Sequence, residues 1–218
     1  ASSAVRDVFA AYWAPHIVGH GALTALAVVA TAVPRIELGT SVVPTFPRHP
    51  HAIAQQAHTV AAASGNRFTL GIGLSHKIVI ENMFGLSYDK PVRHLREYLS
   101  VLMPLSRNEQ ANFDGEMYKV HAGINAKGSA GFGVVVAALG EQMLRVTAAM
   151  ADGTLTWCTG PVTLAGHTYR STIAPMGGAY YLPLSAEHRT AAGLAAGDEV
   201  DVDVDVVVVG SGFGGSVT

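Results

Sequence analysis

The stretch from Arg35 to His76, RIELGTSVVPTFPRHPHAIAQQAHTVAAASGNRFTLGIGLSH, constrains the fold more than any other part of the chain. Residues 35–43 alternate and carry branched side chains (Ile36, Leu38, Val42, Val43), which predicts a strand. Pro44 and Pro47 then interrupt regular structure. Residues 50–64 are rich in Ala and Gln and are closed by Gly65-Asn66, which predicts a helix with a glycine cap. Phe68 to Ile72 predicts a second strand, opening into the loop Gly73-Leu74-Ser75-His76. Strand, helix and strand within roughly forty residues make a βαβ unit, whose two strands lie side by side and parallel.

The same alternation runs on both sides of this unit. Residues 2–10 read as the end of a helix, and Ala11-Tyr12-Trp13-Ala14 as a short strand stopped by Pro15, with His16 at its C-terminal end. Residues 21–33 predict a helix ended by Pro34. Residues 77–90 read as irregular. Asp89 is the expected N-cap of the next helix, with Pro91 in its first turn. In that helix Val92, Leu95, Leu99 and Leu102 recur at helical spacing, and Arg93 is set to pair with Glu97 at i,i+4. Phe113 to Tyr118 holds an Asp114-Gly115 step between apolar residues, a hairpin signal. Phe132 to Leu139 is a continuous apolar run suited to a strand buried on both faces. A helix follows from Gly140 through Met143, Leu144, Val146 and Met150, and Thr154 to Cys158 predicts another strand ending at Thr159-Gly160-Pro161. Strands alternating with helices argue for an α/β fold with a parallel sheet, either a (β/α) barrel or a doubly wound sheet.

Composition narrows the function classes. Apolar residues make up 49% of the 218 and charged residues 14%, with a mean hydropathy of +0.30, so a large buried core or a surface covered by another chain is expected. The net charge of -2 and scattered Lys and Arg give no footprint for nucleic acid. The longest apolar stretch, roughly Ala22 to Val33, falls short of the ~20 residues a membrane span needs, and no secretory signal pattern is present. Cys158 is the single cysteine, which fits a reducing cytoplasm. The chain opens on Ala1 rather than Met, which reads as a trimmed start or a fragment.

In a parallel barrel, ligands sit at the C-terminal ends of the strands. The residues there are His16, Thr40-Ser41-Val42, Gly73-Leu74-Ser75-His76, Gly140 and Thr159-Gly160. Gly140 at a helix start offers free N–H groups to a phosphate, the Gly73 loop permits close backbone approach, and Thr40, Ser41 and Thr159 supply hydroxyls. His49, His51 and His58 lie on or beside one helix, but His51 and His58 are seven apart, where a metal pair would be four apart; they read as a solvated face, with no metal site. Cys158, between Trp157 and Thr159, reads as packing rather than a nucleophile.

The wording LGTSVVPTFPRHP followed by ASGNRFTLGIGLSH resembles the luciferase-like flavin and deazaflavin oxidoreductases, in particular their F420-dependent branch, over about residues 4–166. The resemblance implies a (β/α)8 TIM-barrel-like fold, here a partial one, and hydride transfer to or from a small organic substrate with coenzyme F420, or alternatively FMN. It implies a non-prolyl cis peptide at Ser41-Val42 against the cofactor ring. It places Ala138-Leu139-Gly140 with Met143, and Thr159-Gly160, at the cofactor phosphate. His16 falls where related sugar-phosphate dehydrogenases carry a histidine that handles the substrate proton. The acidic neighbour of that histidine is Pro15 here, and a glutamate expected after the glycine loop is His76, so the resemblance carries no particular substrate. A homodimer is the expected assembly and the cytoplasm the expected compartment.

Beyond about Gly160 the helix alternation stops. Met176-Gly177-Gly178 and Ala196-Gly197-Asp198 read as turns, a small helix is expected near 185–192, and Val200, Val202 and Val204 alternate. Residues 168–205 resemble the small DUF1905-like domain of bacteriocin-protection-type proteins. Residues 205–218, DVVVVGSGFGGSVT, resemble the N-terminal fingerprint of FAD-dependent glucose-methanol-choline oxidoreductases. Gly210, Gly212 and Gly215 fit G-x-G-x-x-G, but the helix and the acidic residue that hold a dinucleotide do not follow, so FAD is not expected. The chain therefore divides into a luciferase-like portion (1–166), a β-rich segment (167–205) and a strand with a glycine-rich tail (206–218). Five of the eight strands of a closed barrel are recognisable, and strands 200–209 are expected to pair with the open edge. The alternative reading is a truncated or mosaic chain that acts at most as a cofactor-binding or structural module.

Overall fold

The computed structural model describes residues 10–16 and 18–155, and, further on, 159–164, 166–172, 174–176, 179–181, 186–195, 198 and 202–204. The chain forms two compact units, divided between Leu155 and Thr156.

The first unit alternates as the sequence predicts. Strand β1 (Ala11–Ala14) leads to helix α1 (Ala22–Ala32), and β2 (Glu37–Thr40) and the short β3 (Val43–Pro44) lead to α2 (Pro50–Ala63). Strand β4 (Phe68–Gly73) precedes a π-helical turn at Val79–Met83 and the long α3 (Pro91–Ser106). The hairpin β5 (Ala111–Asp114) and β6 (Lys119–Ala122) comes next, followed by β7 (Gly133–Ala137), α4 (Glu141–Met150) and β8 (Gly153–Leu155). Strands β1, β2, β4, β7 and β8 pair in that order, all parallel, with β3 also on β4. The result is an α/β fold with sequential parallel strands, the arrangement of a (β/α)8 barrel, of which five principal strands lie among the described residues.

The two faces of this sheet differ. Leu38, Phe68, Leu70, Ile72, Val134 and Val136 are buried on the face that meets the helices, where Leu26, Ile53, Ala57, Leu95, Leu99 and Leu102 close the core. The opposite face carries Gly39, Gly71, Gly133 and Gly153 in register with Trp13, Thr69 and Val135. The glycines are required by close approach. A Cβ at Gly39 would collide with the Trp13 ring, and one at Gly71 with the Thr40 carbonyl oxygen. Thr40 locks β2 to β4. Its buried hydroxyl donates to the Gly71 carbonyl and accepts the Gly71 N–H, each at 2.8 Å.

Several local expectations change. The predicted strand 35–43 is two pieces, β2 and β3, separated at Ser41-Val42. Residues 79–83 are a π-helical turn rather than irregular. Asp89 does not cap α3: it accepts the Ser87 hydroxyl at 2.7 Å, and the N-cap is Lys90 with φ +49°. Arg93 does not pair with Glu97 but with Glu116. Glu97 turns inward, 7% exposed, and accepts the backbone N–H groups of Glu116 (3.2 Å), Met117 (2.8 Å) and Tyr118 (3.2 Å). Three part-buried amides on a buried carboxylate outweigh one surface cation. Gly115 stands where a Cβ would strike the Glu97 carboxylate, so the glycine of the hairpin step serves this contact.

His58 is not on a solvated face. It is fully buried between the Leu105 carbonyl and the Ser129 hydroxyl, each 2.8 Å away, because α2 turns that residue toward α3. No metal-holding group of His, Cys, Asp or Glu occurs among the described residues, and none of their helices is long and apolar enough to cross a membrane.

In the second unit, β9 (Thr159–Leu164) pairs antiparallel with β10 (His167–Thr172) through Gly166 and with β13 (Val202–Val204) on its other side. Strands β11 (Ala174–Met176) and β12 (Ala179–Tyr181) form a hairpin, and helix α5 spans Ala186–Ala191. Of the strand predicted at 154–158, Thr154 and Leu155 fall in β8, and residues 156–158 lie outside the described residues. Thr159 and Gly160 open β9 rather than follow a parallel strand. Of the edge strand expected at 200–209, Val202–Val204 pairs with β9 and not with the parallel sheet, and the other residues of that stretch lie outside the described ones. Residues 2–9, Cys158 and the 205–218 stretch, with its Gly210–Gly215 motif, lie outside the described residues.

Two seams should dominate the stability of the first unit. Glu97→Ala leaves three part-buried amides of the hairpin loop without their acceptor and is expected to cost about 1–3 kcal/mol in urea unfolding, with Glu97→Gln costing less. Thr40→Val, nearly isosteric, removes both bonds to Gly71 and is expected to cost about 1–3 kcal/mol. A Glu97→Ala protein as stable as the parent would show that water satisfies the hairpin loop.

Candidate functional site at the strand ends

The C-terminal ends of the parallel strands bring together residues far apart in sequence. The Ser41-Val42 peptide bond is cis. Ser41 N–H donates to the Ala14 carbonyl of β1 at 2.9 Å. On the other side, the Val42 side chain lies where a Cβ on Gly73 would meet it at 2.8 Å, with the Ala137 methyl at 3.3 Å. The ends of β1, β2, β4 and β7 thus converge on Val42 and Gly73.

Thr40, Gly73, Leu74 and Ala138 are buried, and the Thr40 hydroxyl is engaged twice by Gly71. Ser41, Val42, Ser75 and Met143 are half-buried, while His76, Leu139 and Gly140 are exposed. The Ser75 carbonyl accepts the Tyr88 hydroxyl at 3.1 Å, which ties the glycine loop to the segment before α3. Gly140 is the extended N-cap of α4, with no side-chain cap and open space about it. Thr159 and Gly160 belong to the second unit.

His16 occupies the mouth of β1. Its Nδ1 accepts the N–H of Ala22, the first residue of α1, at 3.1 Å, and its Nε2 lies 2.8 Å from Arg48 Nη2. Burial first, and then the Arg48 charge, lower its pKa below 6.5, so the ring is neutral at pH 7. His16, Pro44, Pro47, Arg48 and Phe84 line a cavity of about 350 Å³. A second, of about 440 Å³, shares Pro47, Arg48 and Phe84 and adds Phe46, His49, Leu86 and Tyr118.

The loop between β3 and α2 positions Arg48. Thr45 N–H donates to the Gly73 carbonyl (2.9 Å), and Arg48 N–H to the Thr45 carbonyl (3.0 Å). His49 caps α2 by accepting the His51 N–H. Phe46 stacks on His94 of α3 with centroids 3.9 Å apart, and on Tyr88 at 4.9 Å. His94 Nε2 lies 2.9 Å from the Thr45 hydroxyl, and its Nδ1 3.4 Å from the Tyr118 hydroxyl. Sequence reasoning passed over Arg48, Phe46, His94 and Tyr118. A cation held between Pro47 and Pro50 just past a strand end was the available signal for Arg48; the packing of His94 on Phe46 had none.

Burial lowers the His94 pKa to about 4, with Glu97 opposing in part. Its folded pKa lies below the unfolded value of about 6.5, so below pH 6.5 the unfolded chain binds a proton that the native chain refuses. Stability is therefore expected to fall as pH drops from 6.5 to 4, by up to about 3 kcal/mol from this residue. Urea unfolding across that range, compared with His94→Gln, checks it: the parent should show the steeper pH dependence, and equal slopes would assign the loss elsewhere.

Comparison with known proteins places this geometry. The family described as luciferase-like monooxygenase matches residues 7–174, and a domain of unknown function, DUF1905, matches residues 158–204. The 5,10-methylenetetrahydromethanopterin reductase of Archaeoglobus fulgidus is 28% identical over 130 residues, 60% of this chain and 39% of that protein. The F420-dependent glucose-6-phosphate dehydrogenase of Intrasporangium calvum is 31% identical over 147 residues, 63% of this chain and 44% of that protein. The chain spans less than half the length of these relatives. Among solved structures, the coenzyme F420-dependent tetrahydromethanopterin reductase of Methanopyrus kandleri superposes with a TM-score of 0.61 at 22% identity, over 69% of this chain and 48% of that one. An F420-dependent secondary alcohol dehydrogenase, in complex with an F420-acetone adduct, superposes with a TM-score of 0.65 at 15% identity, over 72% and 52%. With most of its length matched by one family and its parallel sheet shared with these structures, the chain belongs to the luciferase-like monooxygenase family.

Proposed function

We propose that this chain is a coenzyme F420-dependent oxidoreductase, with FMN as the alternative cofactor, acting on a small organic substrate at the strand ends of the first unit. The observation that carries the reading is His16, fixed by the Ala22 amide at the edge of the cavity beside the Ser41-Val42 strand end. Relatives named as F420-dependent support it.

The residues present fit such a group. Gly140 leaves the first turn of α4 uncapped and unobstructed, which suits a phosphate. Glu141 in that turn is paired with Arg145 at 2.6 Å, which offsets its charge. Met143, Ala138 and Leu139 border the same place in the chain. Ser41, Val42 and the Gly73–His76 loop would hold the ring, and Thr40 sets the seam from which Ser41 departs. When bound, the reduced deazaflavin supplies a hydride. His16 acts on the substrate oxygen: Nδ1 is occupied by the Ala22 N–H, so Nε2, beside Arg48 at the edge of the cavity, carries the proton of the neutral ring.

The reading places the protein in the cytoplasm as a homodimer, supported by the exposed apolar side chains Val28, Ile78, Met83 and Leu139, which a second chain could cover. In the division 1–166, 167–205 and 206–218, catalysis falls to the first portion.

Titration with F420 and with FMN tests the proposal. Saturable fluorescence quenching at about micromolar ligand is expected for F420, and His16→Ala should retain binding while slowing turnover by about 10²–10⁴-fold. A native circular dichroism spectrum with no binding of either cofactor would overturn the reading in favour of a module without a complete site.

A further inference from the structure

We infer that His16 and Arg48 form an anion subsite, which takes a carboxylate or phosphate group on a small organic ligand. The inference rests on the reading above for what that ligand does, but not for the site itself.

A neutral imidazole has one acceptor nitrogen and one N–H. Two donors converge on His16: the Ala22 backbone N–H at Nδ1, 3.1 Å away, and the Arg48 guanidinium at Nε2, 2.8 Å away. The ring can accept from only one of them. The Ala22 amide is fixed by the start of α1 and cannot turn aside. Nδ1 is therefore the acceptor, and Nε2–H faces the guanidinium as a second donor. Two donors side by side, with no acceptor between them, are satisfied together by one anionic oxygen group.

The charge balance agrees. The ion pairs of the described residues use Lys77, Lys90, Arg93, Arg107, His121 and Arg145, and leave Arg48 without an acidic partner. Glu97, an acid of the neighbouring α3, is consumed by the three amides of the hairpin loop. Glu81 stands 3.8 Å from Lys77. Arg48 is half-buried in a well-fastened loop, and it lines both cavities. The other walls beside His16 are Pro44, Pro47 and Phe84, which supply no competing acceptor side chain. A guanidinium held this way presents a planar fork, which matches a carboxylate or a phosphate oxygen pair better than a hydroxyl. The apolar walls leave room for a short carbon skeleton attached to that group.

The test uses the full chain labelled with ¹⁵N-histidine, titrated separately with inorganic phosphate and with acetate while the His16 ring signals are followed by NMR. At least one anion is expected to shift them saturably, and the tighter of the two names the group. Arg48→Gln should weaken that binding by about tenfold or more, and Arg48→Lys should restore part of it as a point charge without the fork. No saturable shift with either anion would overturn the inference, as would equal titrations of the parent and Arg48→Gln. Should Arg48→Gln fail to fold, the parent titration and Arg48→Lys still decide. F420 quenching on the same parent sample separates the two proposals. Anion binding without binding of either F420 or FMN upholds the subsite and removes the hydride-transfer reading. F420 binding without anion binding does the reverse.

Discussion

The bond from the Thr40 hydroxyl to both backbone groups of Gly71 is the constraint on which the rest of the first unit depends. It is fully buried and joins adjacent parallel strands where they pass closest. A hydroxyl that donates and accepts at once replaces two ladder contacts, so β2 can leave the sheet at Ser41 without orphaning Gly71. Because β2 ends there, the chain can turn through Ser41-Val42 and rejoin β4 as β3, with Val43 opposite Ile72. Everything at the mouth of the sheet follows from that departure. Val42 rests over Gly73, Thr45 reaches the Gly73 carbonyl, and Arg48 is delivered to His16.

A second layer holds the delivered residues still. Phe46, Tyr88, His94, Tyr98 and Tyr118 form a contiguous aromatic group under the loop, and Glu97 pins the hairpin that carries Tyr118. Burial dominates the titration of these rings. It pushes Tyr118 up to about 12 and holds Tyr98 well above the usual phenol range, so both are neutral phenols at any physiological pH. The loop thus rests on a floor that does not ionise, apart from His94 in acid. Its one free charge, Arg48, points at the cavities.

Much of this was legible in the sequence, and the limits were physical. The βαβ alternation came from hydrophobic period, which a parallel sheet with helices outside imposes directly. The cis bond at Ser41-Val42, and the choice of His16 and the Gly73 loop, came from a resemblance in wording rather than from any period. The misreadings arise where local rules met stronger partners. Asp89, Arg93 and His58 were each assigned by local rules, as a cap, an i,i+4 partner and an exposed face. Two were overridden by partners distant in sequence, Arg93 by Glu116 and His58 by Leu105 and Ser129, while Asp89 is taken by the Ser87 hydroxyl and leaves the cap position to Lys90. Local rules carry a few tenths of a kcal/mol, and a buried polar group left without its partner costs several times that.

By itself, then, the sequence determined the class of fold, the order of its elements and the neighbourhood of the candidate site, because periodicity and glycine placement are local properties of a chain. Only the tertiary structure decided which side chains meet. It put Arg48 against His16 across 32 positions of sequence, turned Glu97 from a surface pair into a buried anchor, and set Val202–Val204 on β9 instead of the parallel edge. These outcomes depend on which donors and acceptors are left over once the sheet and helices have formed, and that remainder is a property of the packed chain.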